Sequence, residues 1–421
     1  MGGRPRLLLL LPSTTYRAAA FVEAARRLDV ELTVGTDHRS VFAAANPEQY
    51  LSLDFDDRER AAAQAAGFAA RHPVTAVAGV DDDTAVLAAA VAGALGLPHN
   101  PLAAAAAARN KLLQRRALAA AGVPVPSFAA HAVGEDPRGV AAAAPYPCVV
   151  KPLCLAASRG VIRADDPDEF VAAHAVLAGI LAEPEVAARG EDACRYLVEA
   201  FVPGPELALE GVLEGGRLRV LALFDKPDPL DGPYFEETIY VTPSRLAARA
   251  QRELAACAES AARAVGLVSG PVHVELRYND AGPWLIELAA RSIGGRCSRV
   301  LRFGEGAGAA PLEELLLRRA LGMPVATWER EAAAAGVMMI PVPGAGVLRE
   351  VRGVEAARRV PGVEEVAITA HRGQRLVPPP RGAQYLGFIY ARGPAPAGVE
   401  AALRRAHECL SFDLAPEREA D

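Results

Sequence analysis

The chain lacks any CxxC pair and any paired cysteine–histidine spacing of a metal site. Its six cysteines, Cys148, Cys154, Cys194, Cys257, Cys297 and Cys409, are scattered. That excludes a zinc-finger type of site and reads as reduced thiols of a cytoplasmic protein, not a disulfide frame. A concentrated basic face is missing too. The net charge is −6, which argues against a nucleic-acid partner. No membrane partner is expected either, because the apolar run Leu7–Leu11 is too short to cross a bilayer and stops at Pro12. No signal-peptide cleavage pattern follows that run, so it is expected to be a buried first strand. The glycine fingerprint GxGxxG is absent after it. Ser13-Thr14-Thr15 stands there instead, so a nicotinamide cofactor has no support.

The 421 residues are 51% hydrophobic, enough for two or three domains with sizeable cores. Residues 1–108 alternate strand and helix: strands at Leu7–Leu11, Glu31–Val34 and Val74–Val80, helices at Ala18–Leu28, Ala61–Arg71 and Thr84–Leu95. Such alternation predicts a parallel sheet with helices on its faces. The helix Asn110–Ala121 ends at Gly122, before Val123-Pro124-Val125-Pro126. Strands follow at Cys148–Pro152, Tyr196–Ala200 and Glu206–Leu213, with helices at Asp168–Leu181 and 251–265. Residues 331–421 read as a small α+β unit.

Two glutamates mark the richest region. Glu275 sits in Pro271–Arg277 and Glu287 in Pro283–Arg291, and Tyr278–Gly282 between them is turn-like. A hairpin joined there brings residues 275 and 287 side by side on one face. Close carboxylates repel each other unless a cation lies between them. Hard oxygen donors with no histidine or cysteine cluster suit Mg²⁺, which usually keeps phosphates as further ligands. The plain alternative is a solvated outer face.

Other residues point the same way. Lys151 ends an apolar strand, where an ammonium can meet a phosphate. The small-residue loop Leu153–Val161, with Ser158 in it, can cradle phosphates through its backbone N–H groups; a lysine snorkelling from a sheet edge is the commoner fate. Lys111 stands in the first helical turn, where a cation is locally disfavoured. That implies an anion or carboxylate close by, or else simple solvation. Glu199 and Glu206 flank an extended linker. The backbone of Phe201 and Val202 there can read an adenine edge, and a carboxylate can accept from ribose hydroxyls. Arg291 can steady an oxyanion, or else pair with Glu287 itself. Gly294-Gly295-Arg296 lets the backbone approach a ligand closely.

In this order, Lys111, Lys151, the small-residue loop, Glu199, Glu206, Glu275, Glu287 and Arg291 resemble the ATP-grasp ligases. The opening Asn-Lys-x-x-x-Arg at 110–115 and the 12-residue step from Glu275 to Glu287 carry that resemblance. Within the superfamily the chain most resembles L-amino acid ligases and related carboxylate–amine ligases. Arg291–Gly295, Asp225-Lys226-Pro227, Pro233–Glu237 and Pro243-Ser244 carry this closer likeness. The resemblance implies mixed α/β and α+β architecture. A parallel α/β pre-ATP-grasp domain would fill 1–108. An ATP-grasp domain of two α+β sub-domains would fill 109–330, with a mobile lid at about 122–196, and a C-terminal α+β cap 331–421.

The resemblance also implies roles. Lys111, Lys151 and the Ser158 loop would bind ATP phosphates; Glu199 with Phe201 and Val202 would hold adenine, and Glu206 ribose. Glu275 and Glu287 would hold Mg²⁺, or Mn²⁺ in its place. Arg291 and Lys151 would serve catalysis. Glu236 or Glu237, with Gly294, Gly295 and Arg296, would take substrate. Many members carry asparagine two residues past the second glutamate; here Ala289 stands there, which puts a full two-metal site in doubt. The implied reaction joins a small-molecule carboxylate to an amine through an acyl phosphate, releasing ADP and phosphate. An ATP-grasp carboxylase, a purine-pathway type of ligase and a non-catalytic ATP-binding protein are the rivals. A homodimer is left open.

Overall fold

Leu7, Leu8, Leu9 and Leu10 are all fully buried, as a continuous apolar strand with cover on both faces demands. In the computed structural model, which describes residues 4–416 apart from 13, 14, 39, 41, 42 and 44, they form the strand Arg6–Leu10 of a four-stranded parallel sheet. Its order is Tyr50–Ser52, Glu31–Thr36, Arg6–Leu10, Ala76–Gly79. Of the Ser13-Thr14-Thr15 segment, Ser13 and Thr14 lie outside the described residues. The helix Asp82–Ala94 follows the last strand. Asp81 caps it by accepting from the Thr84 N–H at 2.9 Å.

A second, antiparallel sheet takes the order Phe128–Ala132, Arg195–Ala200, Cys148–Pro152, Ile162–Ala164. The apolar helix Pro167–Leu181 covers it, with Phe170, Leu177 and Ile180 fully or almost fully buried.

The third sheet has eight strands, antiparallel throughout: Gly282–Ala289, Ser269–Asn279, Glu206–Glu214, Arg217–Asp225, Ile239–Thr242, Ala334–Ile340, Gly387–Gly393, Val363–Ile368. The strands after residue 331 therefore extend the sheet that begins with the glutamate hairpin. Helix Ala248–Val265 packs on the hairpin's apolar face through Leu254, Ala258, Ala261 and Val265. Val272, Val274 and Leu276 alternate inward against it. His273, Glu275 and Arg277 consequently face the opposite side.

Alternation alone would not put Glu287 beside Glu275. From Asn279↔Gly282 to Leu276↔Leu285 the pairing is regular, and it then slips so that Glu275 pairs with Glu287. Ile286 is the extra residue of a β-bulge. Leu285 and Leu288, three apart, are both fully buried because of it. Without the slip Glu287 would turn to the other face.

The latch between domains is polar. The Gly160 N–H donates to the Pro380 carbonyl at 2.9 Å, and Arg159 Nε donates to the Arg381 carbonyl at 3.0 Å. The small-residue loop of the second sheet is thus tied to the C-terminal residues. No helix among the described residues is long and apolar enough to cross a membrane.

Candidate active site

The three sheets enclose a cavity of ≈ 850 Å³. Lys111, Lys151, Ser158, Glu199, Phe201, Val202, Glu206, Glu237, Glu275, Glu287, Arg291 and Gly294–Arg296 all line it. Glu236 does not. Its carboxyl bonds the Val342 backbone and burial raises its pKa. Of the two candidates for an ammonium contact, the fold thus brings only Glu237 to the cavity.

At one end, Lys151 Nζ lies 2.7 Å from Glu199 Oε2. Arg115 holds the same carboxylate from Nε at 2.8 Å and donates to the bulge carbonyl of Ile286 at 2.6 Å. All three charged side chains are buried. Burial would raise the pKa of Glu199, but Arg115 and Lys151 outweigh it and the carboxyl is held below its usual range. Burial dominates at Lys151 and brings its pKa down to about 8. Arg115 was not singled out from the sequence. It lies one helical turn after Lys111, on the same face, and that i,i+4 spacing was the available signal.

The linker is less open than expected. The Phe201 N–H donates to the Pro147 carbonyl at 2.8 Å, and the Val202 carbonyl accepts from Arg277 at 2.7 Å. The Phe201 carbonyl and the Val202 N–H have no hydrogen bond among the described residues. An acceptor and a donor are thus left adjacent at the cavity wall, which matches the donor–acceptor pattern along an adenine edge. The Phe201 ring is clamped by the guanidinium groups of Arg163 at 4.3 Å and Arg277 at 4.9 Å.

Lys111 explains its own unfavourable helix position. Its Nζ donates to Glu287 Oε1 at 3.1 Å and to the Leu155 carbonyl at 2.8 Å. The carboxylate implied by the sequence is Glu287. Asn110 caps the helix by accepting from the N–H groups of Leu112 and Leu113. In the adjoining loop Ala157 and Ser158 have φ of 53° and 54°, a left-handed turn rare for residues with a Cβ.

Lys226, marked in the sequence only as part of a likeness and given no role there, stands at the centre of the site. It is buried, and its Nζ contacts Glu206 at 2.8 Å, Glu237 at 2.5 Å and Glu275 at 3.1 Å. These three carboxylates offer oxygens within 4.8 Å of one another, close enough for a metal, and an ammonium already occupies their centre. Burial raises the pKa of Glu237 and the adjacent Glu275 raises it further, while Lys226 opposes both. Burial would raise Glu275 as well, but Lys226 and His273 bring it down to about 2. Lys226 stands before a proline at the end of an apolar strand, just as Lys151 does, so the same signal marked both.

Arg291 does not pair with Glu287. Its Nε meets Asp82 Oδ1 at 3.0 Å, at the start of the helix Asp82–Ala94. Arg17, from the same N-terminal domain, donates to the carbonyls of Ser292, at 2.8 Å, and Ile293. The Tyr16 hydroxyl accepts from the Gly295 N–H at 2.9 Å. The turn after the second glutamate is therefore set by residues some 200 or more positions earlier in the chain.

The donor chemistry fits a hard divalent cation. Glu275 and Glu287 are paired across the hairpin on one cavity wall, carboxylate oxygens that suit such an ion, with the His273 imidazole as a nitrogen neighbour 3.6 Å from Glu275 Oε1. Ala289 lines the same wall and is 3% exposed, offering no third side-chain ligand.

Three family descriptions match in order along the chain: an ATP-grasp N-terminal domain at residues 22–99, an ATP-grasp domain at 144–300, and an L-amino acid ligase C-terminal domain at 338–415. The chain thus carries an ATP-grasp domain between two domains of matching kind. Its last domain is of the kind found in L-amino acid ligases. The solved L-amino acid ligase of Bacillus licheniformis is similar over 98% of this chain and 100% of its own, with a TM-score of 0.80 and 25% identity. Mouse carnosine synthase 1 is 32% identical over 225 residues, and the alanine–anticapsin ligase of Bacillus subtilis (strain 168) 30% over 217. Those stretches are 51% and 48% of this chain but only 27% and 44% of those proteins.

Proposed function

We propose that the chain is a Mg-ATP-dependent carboxylate–amine ligase that forms an amide through an acyl phosphate. One observation carries this reading. A single cavity joins the paired glutamates of the bulged hairpin to the free Phe201 carbonyl and Val202 N–H. A nucleotide laid between them has its base at the linker and its triphosphate at the hairpin.

In the first step a substrate carboxylate oxygen bonds to the γ-phosphorus while the bond to the β–γ bridging oxygen breaks, and ADP leaves. In the second, the amine nitrogen bonds to the acyl carbon, the bond to phosphate oxygen breaks, and the nitrogen releases a proton. Little covalent work falls to the protein, so positioning and charge dominate. Glu275 and Glu287 hold Mg²⁺, which neutralises charge on the β- and γ-phosphates when bound. Lys151 and Lys111 leave their carboxylates to meet phosphate oxygens. The loop around Ser158, which lines the cavity, covers the same group and keeps water from the acyl phosphate. Arg291, held by Asp82, steadies the oxyanion at the acyl centre. Glu206 holds ribose, and Glu237 accepts from a substrate ammonium. The ATP-grasp domain and the L-amino acid ligase type of C-terminal domain support amino acids as the substrates.

The test is a phosphate-release screen of the purified protein with ATP, Mg²⁺ and pairs of amino acids, followed by mass spectrometry. The expected product weighs the sum of a pair less one water. Release stimulated by bicarbonate or a ribosylamine instead points to a carboxylating or purine-pathway reaction. Tight ATP binding without release across the panel defeats the ligase reading.

A further inference from the structure

Six arginine and lysine side chains line the cavity: Arg17, Lys111, Lys151, Arg277, Arg291 and Arg296. Five are saturated by the protein. Lys111, Lys151, Arg277 and Arg291 each meet a carboxylate, and Arg17 is held by backbone carbonyls. Arg296 alone has neither a carboxylate nor a hydrogen-bond acceptor among the described residues. Its guanidinium lies 5.1 Å from the Phe388 ring centroid and 5.6 Å from that of Tyr16. Rings hold the plane of a guanidinium and leave its N–H edge free.

The backbone there is also costly. Arg296 has φ of 52°, in the left-handed region, directly after Gly295 at 57°. Non-glycine residues held in that region cluster at binding and catalytic sites. The C-terminal residues lining this end, Thr369, Ala370, Gln374, Gln384, Tyr385 and Phe388 among them, bring no carboxylate. The C-terminal residues thus leave the Arg296 guanidinium without a carboxylate partner, the nearest carboxylates to Tyr385 being those of Glu237 and Glu236.

We propose that Arg296 binds a substrate carboxylate that survives the reaction, and so selects carboxylate-bearing partners over simple amines. This rests on the ligase reading above. The reaction consumes one carboxylate at the phosphorylated carbon, and the phosphate and metal groups already have their own ligands. A further cation reserved for an anion implies a second carboxylate. It comes either from the amine partner, which is then an amino acid, or from a donor that is a diacid. A planar guanidinium matches a carboxylate with two parallel hydrogen bonds.

The test uses Arg296→Gln and Arg296→Lys in the full-length protein. Once the screen identifies a productive pair, KM is measured for the amino acid acceptor and for its carboxamide. Wild type should favour the acid, and Arg296→Gln should raise KM for it on the order of 10- to 100-fold. The carboxamide should be used equally by both, KM for ATP should stay unchanged, and Arg296→Lys should recover part of the loss. If the loss instead follows a diacid donor compared with its monoacid analogue, the surviving carboxylate belongs to the donor. An unchanged KM for every acid in Arg296→Gln overturns the assignment. If no pair supports turnover, the ligase reading fails. The Arg296 site is then read by thermal shift with Mg-ATP and each amino acid or its carboxamide. Stabilisation of wild type by acids but not carboxamides, lost in Arg296→Gln, supports the site; equal shifts or none overturn it.

Discussion

The two ends of the cavity are built on opposite electrostatic plans. At the linker and hairpin end every cation is already matched: Lys151 with Glu199, Lys111 with Glu287, and Lys226 with three carboxylates. At the C-terminal end Arg296 has only aromatic rings beside it. A triphosphate brings its own divalent cation, so the first end can begin neutral and exchange partners. A ligand that arrives with a bare carboxylate needs the second plan. In a compensated cluster the loss of one partner strands the other, whereas a charge with no partner is free for what it binds.

Lys226→Met should break the compensated end most severely. It leaves Glu237 and Glu275 around a buried methyl group without their ammonium, while Glu206 keeps Arg277 at 3.0 Å, and removing one partner of a buried pair costs about 3–5 kcal/mol. Urea unfolding measures it, and the deficit should shrink at acidic pH as the stranded carboxyls take up protons. A deficit that does not change with pH means the cluster is not the cause.

Glu287→Gln should be next in size. It removes one carboxylate of the proposed cation site and frees Lys111, with an expected loss of about 10²–10³ in ADP release. Steady-state release at saturating Mg-ATP reads it, and full activity would refute the hairpin's role.

Lys151 gives a pH signature. Burial brings its pKa to about 8 in the fold against 10.5 ordinarily. The folded protein therefore loses this proton first as pH rises. Between those values the unfolded chain holds more protons, so this group adds stability as pH climbs through that window. Mg-ATP affinity should move the other way and weaken above pH 8, by up to about tenfold per pH unit. Equilibrium binding checks it; Lys151→Arg should abolish the decline, and a flat wild-type profile would detach Lys151 from the phosphates.

Gly295→Ala should have the smallest effect. An added Cβ meets Met339 Sδ at 2.4 Å and sits at φ of 57°. The methionine can yield, so the cost should be the left-handed strain of about 1–2 kcal/mol. Thermal unfolding measures it, and a loss well beyond that would mean Met339 is held fast.

What the sequence revealed follows from how far apart the partners are. The hairpin, its turn and both glutamates are local, and strand alternation with a Gly282 turn made them readable. The bulge at Ile286 was not, because the slip is fixed by packing of Leu285 and Leu288 against the helix Ala248–Val265. Strands Arg217–Asp225 and Ile239–Thr242 went unread, the first although Gly215-Gly216 makes a two-residue hairpin turn between Glu214 and Arg217, the second because its four residues are all buried within the sheet. The partners of Glu199 and Arg291 were equally hidden. Arg115 and Asp82 lie 84 and more residues from them along the chain. Family resemblance supplied the order of the chemical groups, and only the fold supplied their pairings.

The bonds from Gly160 to Pro380 and from Arg159 to Arg381 have a mechanical corollary. Any swing of the small four-stranded sheet away from the cavity must part them, although neither Pro380 nor Arg381 lines the cavity. The proline-rich strap at 378–381 thereby acts as a doorstop. Lengthening it by a residue or two should quicken nucleotide escape while leaving every ligand-contacting side chain in place.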